Sequence, residues 1–259
     1  MARAAPDDLP ALRALLTANG LPIDDLSDPQ ADVQLFVARD AQGLAGVVGL
    51  QLAGDHGLLR SLAVAPERRG QGLGRQLVAE AECAALKAKV RELVLLTETA
   101  APFFERLGYH AVDRAGMPAP LQATRSFASL CPENARCLSK SLHLAIYHNG
   151  NCGTSRNVLQ MLRQASLDPQ VIEYLKTPPD RPTLQRLLQQ MGMTPRELLR
   201  EKGTPYAELG LDDPTLSDDT LIDHMLAHPI LINRPIVIAP WGVKLCRPSE
   251  TAREFLRLD

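Results

Sequence analysis

The stretch from Leu144 to Tyr174 constrains the fold most. It holds an apolar run at 144–147, a Gly/Asn-rich turn, a helical pattern over 155–165 and a second strand-like run at 170–174. Short apolar runs bounded by turn residues read as strands, and the 3.6-residue periodicity between them reads as a helix, so this is a βαβ unit. Helical patterns follow at 183–191, 194–202 and 218–227, then strands at 235–239 and 243–246 and a closing helix from Ser249 to the end. A separate set of elements precedes the unit. Asp7-Asp8-Leu9-Pro10 opens an amphipathic helix, strands read at 35–39, 46–52 and 58–64, a long helix at 73–90, and strands at 93–97 and 136–141. The 259 residues, 45% of them hydrophobic, can fill two ordinary cores. Two α/β domains are expected, 1–142 and 143–259, meeting near Ser141 to His143.

Charge narrows the partners. Counting either side of Lys140 gives 15 basic and 16 acidic residues, then 13 and 14, so each half sits near net −1. Neither half carries the basic footprint that nucleic acid or an anionic membrane requires, which favours small-molecule partners. The longest apolar runs, such as 93–96 and 229–232, fall far short of a membrane span, and the start Met1-Ala2-Arg3-Ala4-Ala5-Pro6 leads into no apolar core of a signal peptide. Five cysteines at irregular spacing do not form a secreted disulfide framework. A cytoplasmic protein is expected, and each cysteine is judged as a thiol.

One thiol stands apart. In His148-Asn149-Gly150-Asn151-Cys152-Gly153-Thr154-Ser155-Arg156-Asn157, Cys152 lies between a strand end and a helix start. Unpaired N–H groups and the positive end of the helix dipole favour a thiolate there, below the free value of about 8.5, and the same groups bind anions. His148 adds to thiolate stabilisation if it is protonated or donates a hydrogen bond. A small apolar cysteine at a turn is the alternative, and the arginines weigh against it. Arg200, Arg234 and Arg247 each end an apolar segment, and guanidinium forks match tetrahedral oxyanions.

These residues resemble the glutaredoxin-dependent arsenate reductases of the ArsC type, which have a thioredoxin-like fold with a helical insertion. The resemblance runs from Ala145 to Phe255 and is most specific at Tyr147 to Asn157, at Pro229-Ile230-Leu231-Ile232-Asn233-Arg234-Pro235 and at Leu245 to Glu250. It implies that Cys152 is the nucleophile, that His148 tunes it, that Arg200, Arg234 and Arg247 hold arsenate and its product, and that the peptide before Pro235 is cis. Ser155, assigned to the same arsenate site, stands where a Cys-x-x-Cys motif has its second thiol, so an external thiol is needed. The resemblance implies that Cys152 attacks As(V) and expels water or hydroxide, that glutathione adds to the arsenic, and that glutaredoxin takes the mixed disulfide, leaving As(III). The spacing from Cys152 to Arg156 does not fit a phosphatase-like Cys-x5-Arg loop, and Cys246 sits in an apolar strand as a packed thiol. A sister group in this fold contains regulators that bind RNA polymerase, but those lack the full arginine set.

The first half has its own anion signal. Leu62-Ala63-Val64-Ala65-Pro66-Glu67-Arg68-Arg69-Gly70-Gln71-Gly72-Leu73-Gly74 lies between a strand and the long helix. Its glycines permit close backbone approach to a pyrophosphate at the helix start, although glycines also simply mark turns. The phrase resembles the acetyl-CoA loop of the GNAT acetyltransferases, above all their arsenic-resistance N-acetyltransferase branch, and the resemblance extends from Arg3 to Tyr109. It implies that Ala63 and Val64 pair with pantetheine, that Arg69, Gly70, Gln71, Gly72, Leu73 and Gly74 cradle the pyrophosphate, and that an amine accepts the acetyl group, with an organoarsenical amine as the candidate. Two positions depart from the family: Phe104 stands where a tyrosine general acid is common, and Thr97 where an asparagine often lies. The competing reading is a non-catalytic module that senses acetyl-CoA or As(III). Arg60, Ser61 and Glu98 are further candidates, with ordinary strand and loop roles as the alternative. Cys131 and Cys137 are either two thiols near a turn or soft ligands for As(III). His224 and His228 share a helix face but lack a third ligand, and no zinc site is expected.

Overall fold

The computed structural model describes residues 1–24, 26 and 32–257. They divide into two compact units, Met1–Leu142 and His143–Asp259. The first is built from β1 (Ala2–Arg3), α1 (Leu9–Ala18), β2 (Val33–Asp40), β3 (Gly43–Ala53), β4 (His56–Val64), α2 (Leu73–Lys87), β5 (Glu92–Thr97), α3 (Ala101–Glu105), β6 (His110–Ala111), α4 (Ala119–Gln122) and β7 (Arg136–Ser141). Seven strands form one sheet in the order β1-β2-β3-β4-β5-β7-β6. Strand alternation sorts β5: Leu93 and Leu95 pack with Leu77, Val78 and Ala81 of α2, whereas Val94 packs with Leu121 and Phe127 on the opposite face.

Two irregularities make the functional part of this sheet. Between Gly49↔Arg60 and Val47↔Ala63, β4 carries one more residue than β3, and Ser61 takes φ 53. The extra residue flips side-chain parity, so Leu59 packs with the α2 core and Leu62 and Val64, rather than Ala63, rejoin it. Further along, β4 pairs in parallel with β5 only over His56–Leu58 with Glu92–Val94, while β5 pairs with β7 along its full length. Beyond Leu58 the two parallel strands separate, and the gap opens at their carboxyl ends, where α/β sheets form ligand crevices.

The second unit contains β8 (Ala145–His148), α5 (Gly153–Gln164), β9 (Gln170–Glu173), α6 (Arg181–Met191), α7 (Pro195–Leu198), α8 (Asp218–Ala227), β10 (Ile236–Ala239), β11 (Gly242–Leu245) and α9 (Thr251–Leu256). The strand order is β11-β10-β8-β9, with β8 parallel to β9 and antiparallel to β10. The α6–α8 insertion packs Leu184, Leu188, Leu198, Leu221 and Met225 around the buried ring of Tyr174. α5 lies against β8 and α9.

The expected helix over 194–202 is shorter than its pattern. A capping box on Thr194 and Glu197 starts it at Pro195. It stops at Leu198 because Leu199 turns extended and bridges Ile232. The closing helix spans Thr251–Leu256, and residues 258 and 259 fall outside the described residues. Among the described residues no helix is long and apolar enough to cross a membrane.

Candidate active site

Backbone register assembles the thiol site. Ile236 pairs with Tyr147 and with Leu245, so the residues just before β10, just after β8 and just after β11 meet at one edge of the sheet. Those residues are Arg234, the 149–152 loop and Arg247. Arg200 arrives by a short ladder: its N–H donates to Leu231 O at 2.8 Å, and Asn233 N–H donates to Leu198 O at 3.0 Å. The Arg234–Pro235 and Arg247–Pro248 peptides are both cis.

Cys152 is the N-cap residue of α5, extended at φ −97 and ψ 116, and only 9% exposed. Burial raises a thiol's pKa, yet here the balance lies below the ordinary value. The Ser155 N–H bonds the sulfur, Arg234 adds charge and a hydrogen bond, and Arg247 adds charge from further off. Arg234 is 4% exposed, with Nε and Nη1 buried and without a protein partner. A buried guanidinium with two open donors beside a thiolate is suited to accept a tetrahedral oxyanion. Arg247 Nη1 donates to Thr154 Oγ1 at 3.3 Å, and Arg200 Nε donates to Lys202 O at 2.7 Å. Burial first, then the like charges of Arg234 and Arg247, hold the Arg200 pKa below its usual value. The three cations thus converge on one place.

His148 is tied to the start of α5 through Ser155. Its Nδ1 is hydrogen-bonded to Ser155 Oγ at 2.8 Å, and that oxygen also accepts the Asn149 N–H at 3.1 Å. Burial lowers the His148 pKa against an opposing pull from Glu173, so the ring is neutral near neutral pH. The other cysteine of this unit is inert: Cys246 is fully buried, its thiol pushed up to about 12 by burial. Two site residues escaped the sequence reading. Tyr174 donates its hydroxyl to Ile232 O at 3.2 Å within the field of Arg234, Arg200 and Cys152. Asn149 accepts the Asn151 N–H at 2.9 Å, bracing the loop. A polar ring tip ending the strand 170–174 was the available signal for the first; the second lies in the quoted 148–157 loop but was given no role.

The glycine loop of the first unit follows β4 into α2. Gly70 and Gly72 take φ 75 and 79, and a Cβ at either would meet nothing within 4 Å, so the backbone faces open space at the N-terminus of a 15-residue helix. That cradle fits a pyrophosphate. Gly74 serves packing instead, since its Cβ would stand 3.3 Å from Phe103 Cζ. Leu73 packs against the α2 core, and Ala63 is buried beside α1. Arg69 donates to Asn19 Oδ1 at 2.7 Å and to Val64 O at 3.3 Å, and Gln71 donates to Glu67 O at 3.1 Å. Phe104 is buried edge-to-face between Phe103 and Tyr109, and Thr97 Oγ1 accepts the Ala100 N–H at 3.0 Å. Glu98 is exposed. Beside the Ser61 bulge, a cavity of about 70 Å³ is lined by Arg60, Ser61, Ser126 and Cys131 among others. Cys137 lies in the core next to Phe127, its thiol pushed up to about 11 by burial. Among the described residues no three His, Cys, Asp or Glu side chains are grouped to hold a metal, His224 and His228 included.

A lowered thiol at a helix start beside arginines, on a thioredoxin-like sheet with a helical insertion, has the form of a thiol-based oxyanion site. The ArsC family matches residues 147–255, and the arsenate reductase of Rhizobium meliloti is 58% identical over 113 residues, 44% of this chain and 81% of that protein. The chain belongs to the ArsC family of arsenate reductases. Residues 31–111 match the acetyltransferase (GNAT) domain, so the chain carries a GNAT domain followed by an ArsC domain. Similar solved structures include an arsenate reductase from Vibrio cholerae, at 43% identity over 44% of this chain and 97% of that one, with a TM-score of 0.42. Another is Rv2747 from Mycobacterium tuberculosis in complex with CoA, at 20% identity over 54% and 97%, with a TM-score of 0.47.

Proposed function

We propose that residues 143–259 reduce arsenate with Cys152 as nucleophile, and that residues 1–142 transfer acetyl from acetyl-CoA to an amine. The observation that carries the first part is the pairing of a lowered thiol with the two open donors of buried Arg234. Arg234, Arg247 and Arg200 hold the oxyanion while the Cys152 sulfur bonds to As(V) and one oxygen leaves as water. Ser155 N–H stabilises the thiolate before attack. His148, neutral and bonded to the Ser155 hydroxyl, acts as a positioning residue for that loop rather than as a charge. Because Cys246 is buried and protonated, glutathione must condense on the arsenic with loss of a second water. The two sulfurs then couple: one S–As electron pair makes the S–S bond, the other stays on arsenic, and As(III) leaves to take up water as arsenite. Glutaredoxin clears the mixed disulfide by thiol exchange. Cys152→Ser should abolish arsenate-dependent turnover with glutathione and glutaredoxin, and retained turnover would refute the assignment.

In the first unit, acetyl-CoA supplies a thioester when bound. The Gly70–Gly72 cradle and the α2 N-terminus hold its phosphates, and its pantetheine arm lies along the part of β4 beyond Leu58 that β5 does not pair. The cavity beside Arg60 and Ser61 receives the amine, and pairing with an arsenate reductase favours an amine-bearing organoarsenical. Because Phe104 and Thr97 are committed to packing and to the backbone, neither supplies the proton for the leaving thiolate. That favours keeping a second reading, an acetyl-CoA-binding module without fast chemistry. Acetyl-CoA consumption with a panel of amine-bearing arsenicals separates the two, since binding without turnover supports the module.

A further inference from the structure

Arsenate reduction by Cys152 requires an external thiol, and one flank of the nucleophile loop has the form of a receptor for it. α5 shows Arg156, Gln160, Arg163 and Gln164 on one face, because steps of three, four and seven residues align on a helix. Together with His148 and Leu159 they line an open groove of about 610 Å³, the size of a small-ligand site. The groove ends on the loop itself: Arg156 Nη1 donates to Gly150 O at 2.8 Å, and a Cβ on Gly150 would lie 3.9 Å from His148 Nε2. His148 therefore stands between two places, with Nε2 on the groove side and Nδ1 on Ser155, whose N–H bonds the Cys152 sulfur.

Among the described residues no carboxylate lines this groove; Glu173, the acid that acts on His148, is paired with Lys176 at 2.7 Å. Two guanidiniums seven residues apart are separated by about 10 Å along the helix axis, and a tripeptide with a carboxylate at each end spans about 10 Å when extended. We propose that the His148–Arg156–Arg163 groove docks glutathione, the anionic peptide thiol that completes the reduction. Its carboxylates pair with Arg156 and Arg163, Gln160 and Gln164 meet its amides, and its central thiol lies one loop away from the arsenic on Cys152. The redox step is the one given above, in which the two sulfurs couple and an electron pair remains on arsenic. This inference rests on the reductase reading.

The test uses the full-length protein and S-methylglutathione, which binds but cannot react, followed by calorimetry or amide chemical shifts. Formation of the Cys152–arsenic adduct is followed in the same samples by mass spectrometry. Saturable binding is expected, weakened about tenfold or more by Arg163→Glu and largely recovered by Arg163→Lys. In turnover, Arg163→Glu should raise the KM for glutathione and leave that for arsenate in place. Equal affinity in wild type and Arg163→Glu overturns the proposal. So does an absence of saturable binding while glutathione-dependent turnover persists, and so does a defect seen only when glutaredoxin is varied, which would assign the groove to the redoxin. If wild type forms no arsenic adduct, the reductase reading falls instead, and charge-dependent binding of S-methylglutathione would still stand by itself.

Discussion

Cys152 shows how one side chain acquires reactivity from its place. Burial alone would raise its pKa, as it does for Cys246 and Cys137, pushed up to about 12 and about 11. The Ser155 N–H and Arg234 reverse the sign. Alkylation with iodoacetamide should therefore modify Cys152 first, with a midpoint pH below that of a free thiol, while Cys246 stays unmodified at neutral pH in the folded protein. Reactivity is lost as pH falls through the folded value, because the thiolate takes up its proton there. Arg234→Leu should move the midpoint upward and cut arsenate reduction by about 10²-fold or more, as peptide mapping of the alkylated protein and turnover assays would show. The position of Cys152 between a strand and a helix was legible in the sequence, as were the three arginines at the ends of apolar runs. The part played by His148 was not, since it depends on Ser155, whose Oγ bonds the ring while its N–H bonds the sulfur.

At the scale of elements, the two proposed anion sites use one device, a helix N-terminus reached by a loop from a strand, with different loop chemistry. Around Cys152 the loop carries a thiol; around Gly70 and Gly72 it supplies only backbone and space. Gly72→Ala puts a Cβ at φ 79 with nothing to clash against, at a folding cost of about 1–2 kcal/mol, and fills the cradle. Acetyl-CoA affinity should fall about tenfold, a loss of about 1.4 kcal/mol of binding, while arsenate reduction is unaffected; calorimetry with CoA checks the first and a turnover assay the second. Element types followed their periodicity well, from β7 at 136–141 to α8 at 218–227. The 194–202 helix is the instructive exception. Its helical pattern yields at Leu199 to a tertiary bridge with Ile232, and that bridge brings Arg200 into the site.

On the scale of the whole molecule, each unit holds its own core, and the first contains an unusual investment. Lys140 Nζ donates to Glu82 Oε1 at 2.7 Å with both side chains nearly sequestered, and Lys140 lies 5.3 Å from the centre of the Tyr109 ring. Removing one partner of such a pair costs about 3–5 kcal/mol. Lys140→Met should lower the thermal transition of the first unit and spare arsenate reduction, so calorimetry should resolve two transitions where one had moved. A single shared transition would contradict independent cores. By itself the sequence determined the two-domain α/β plan, the strands and helices, and the placing of Cys152 and of the glycine loop at helix starts, because these follow from local periodicity. Only the tertiary structure decided which atoms meet: the parting of β4 from β5, the open donors of Arg234, the Ser155 link between His148 and Cys152, and the groove along α5. Those depend on strand register and on residues far apart in the chain, which no local pattern encodes.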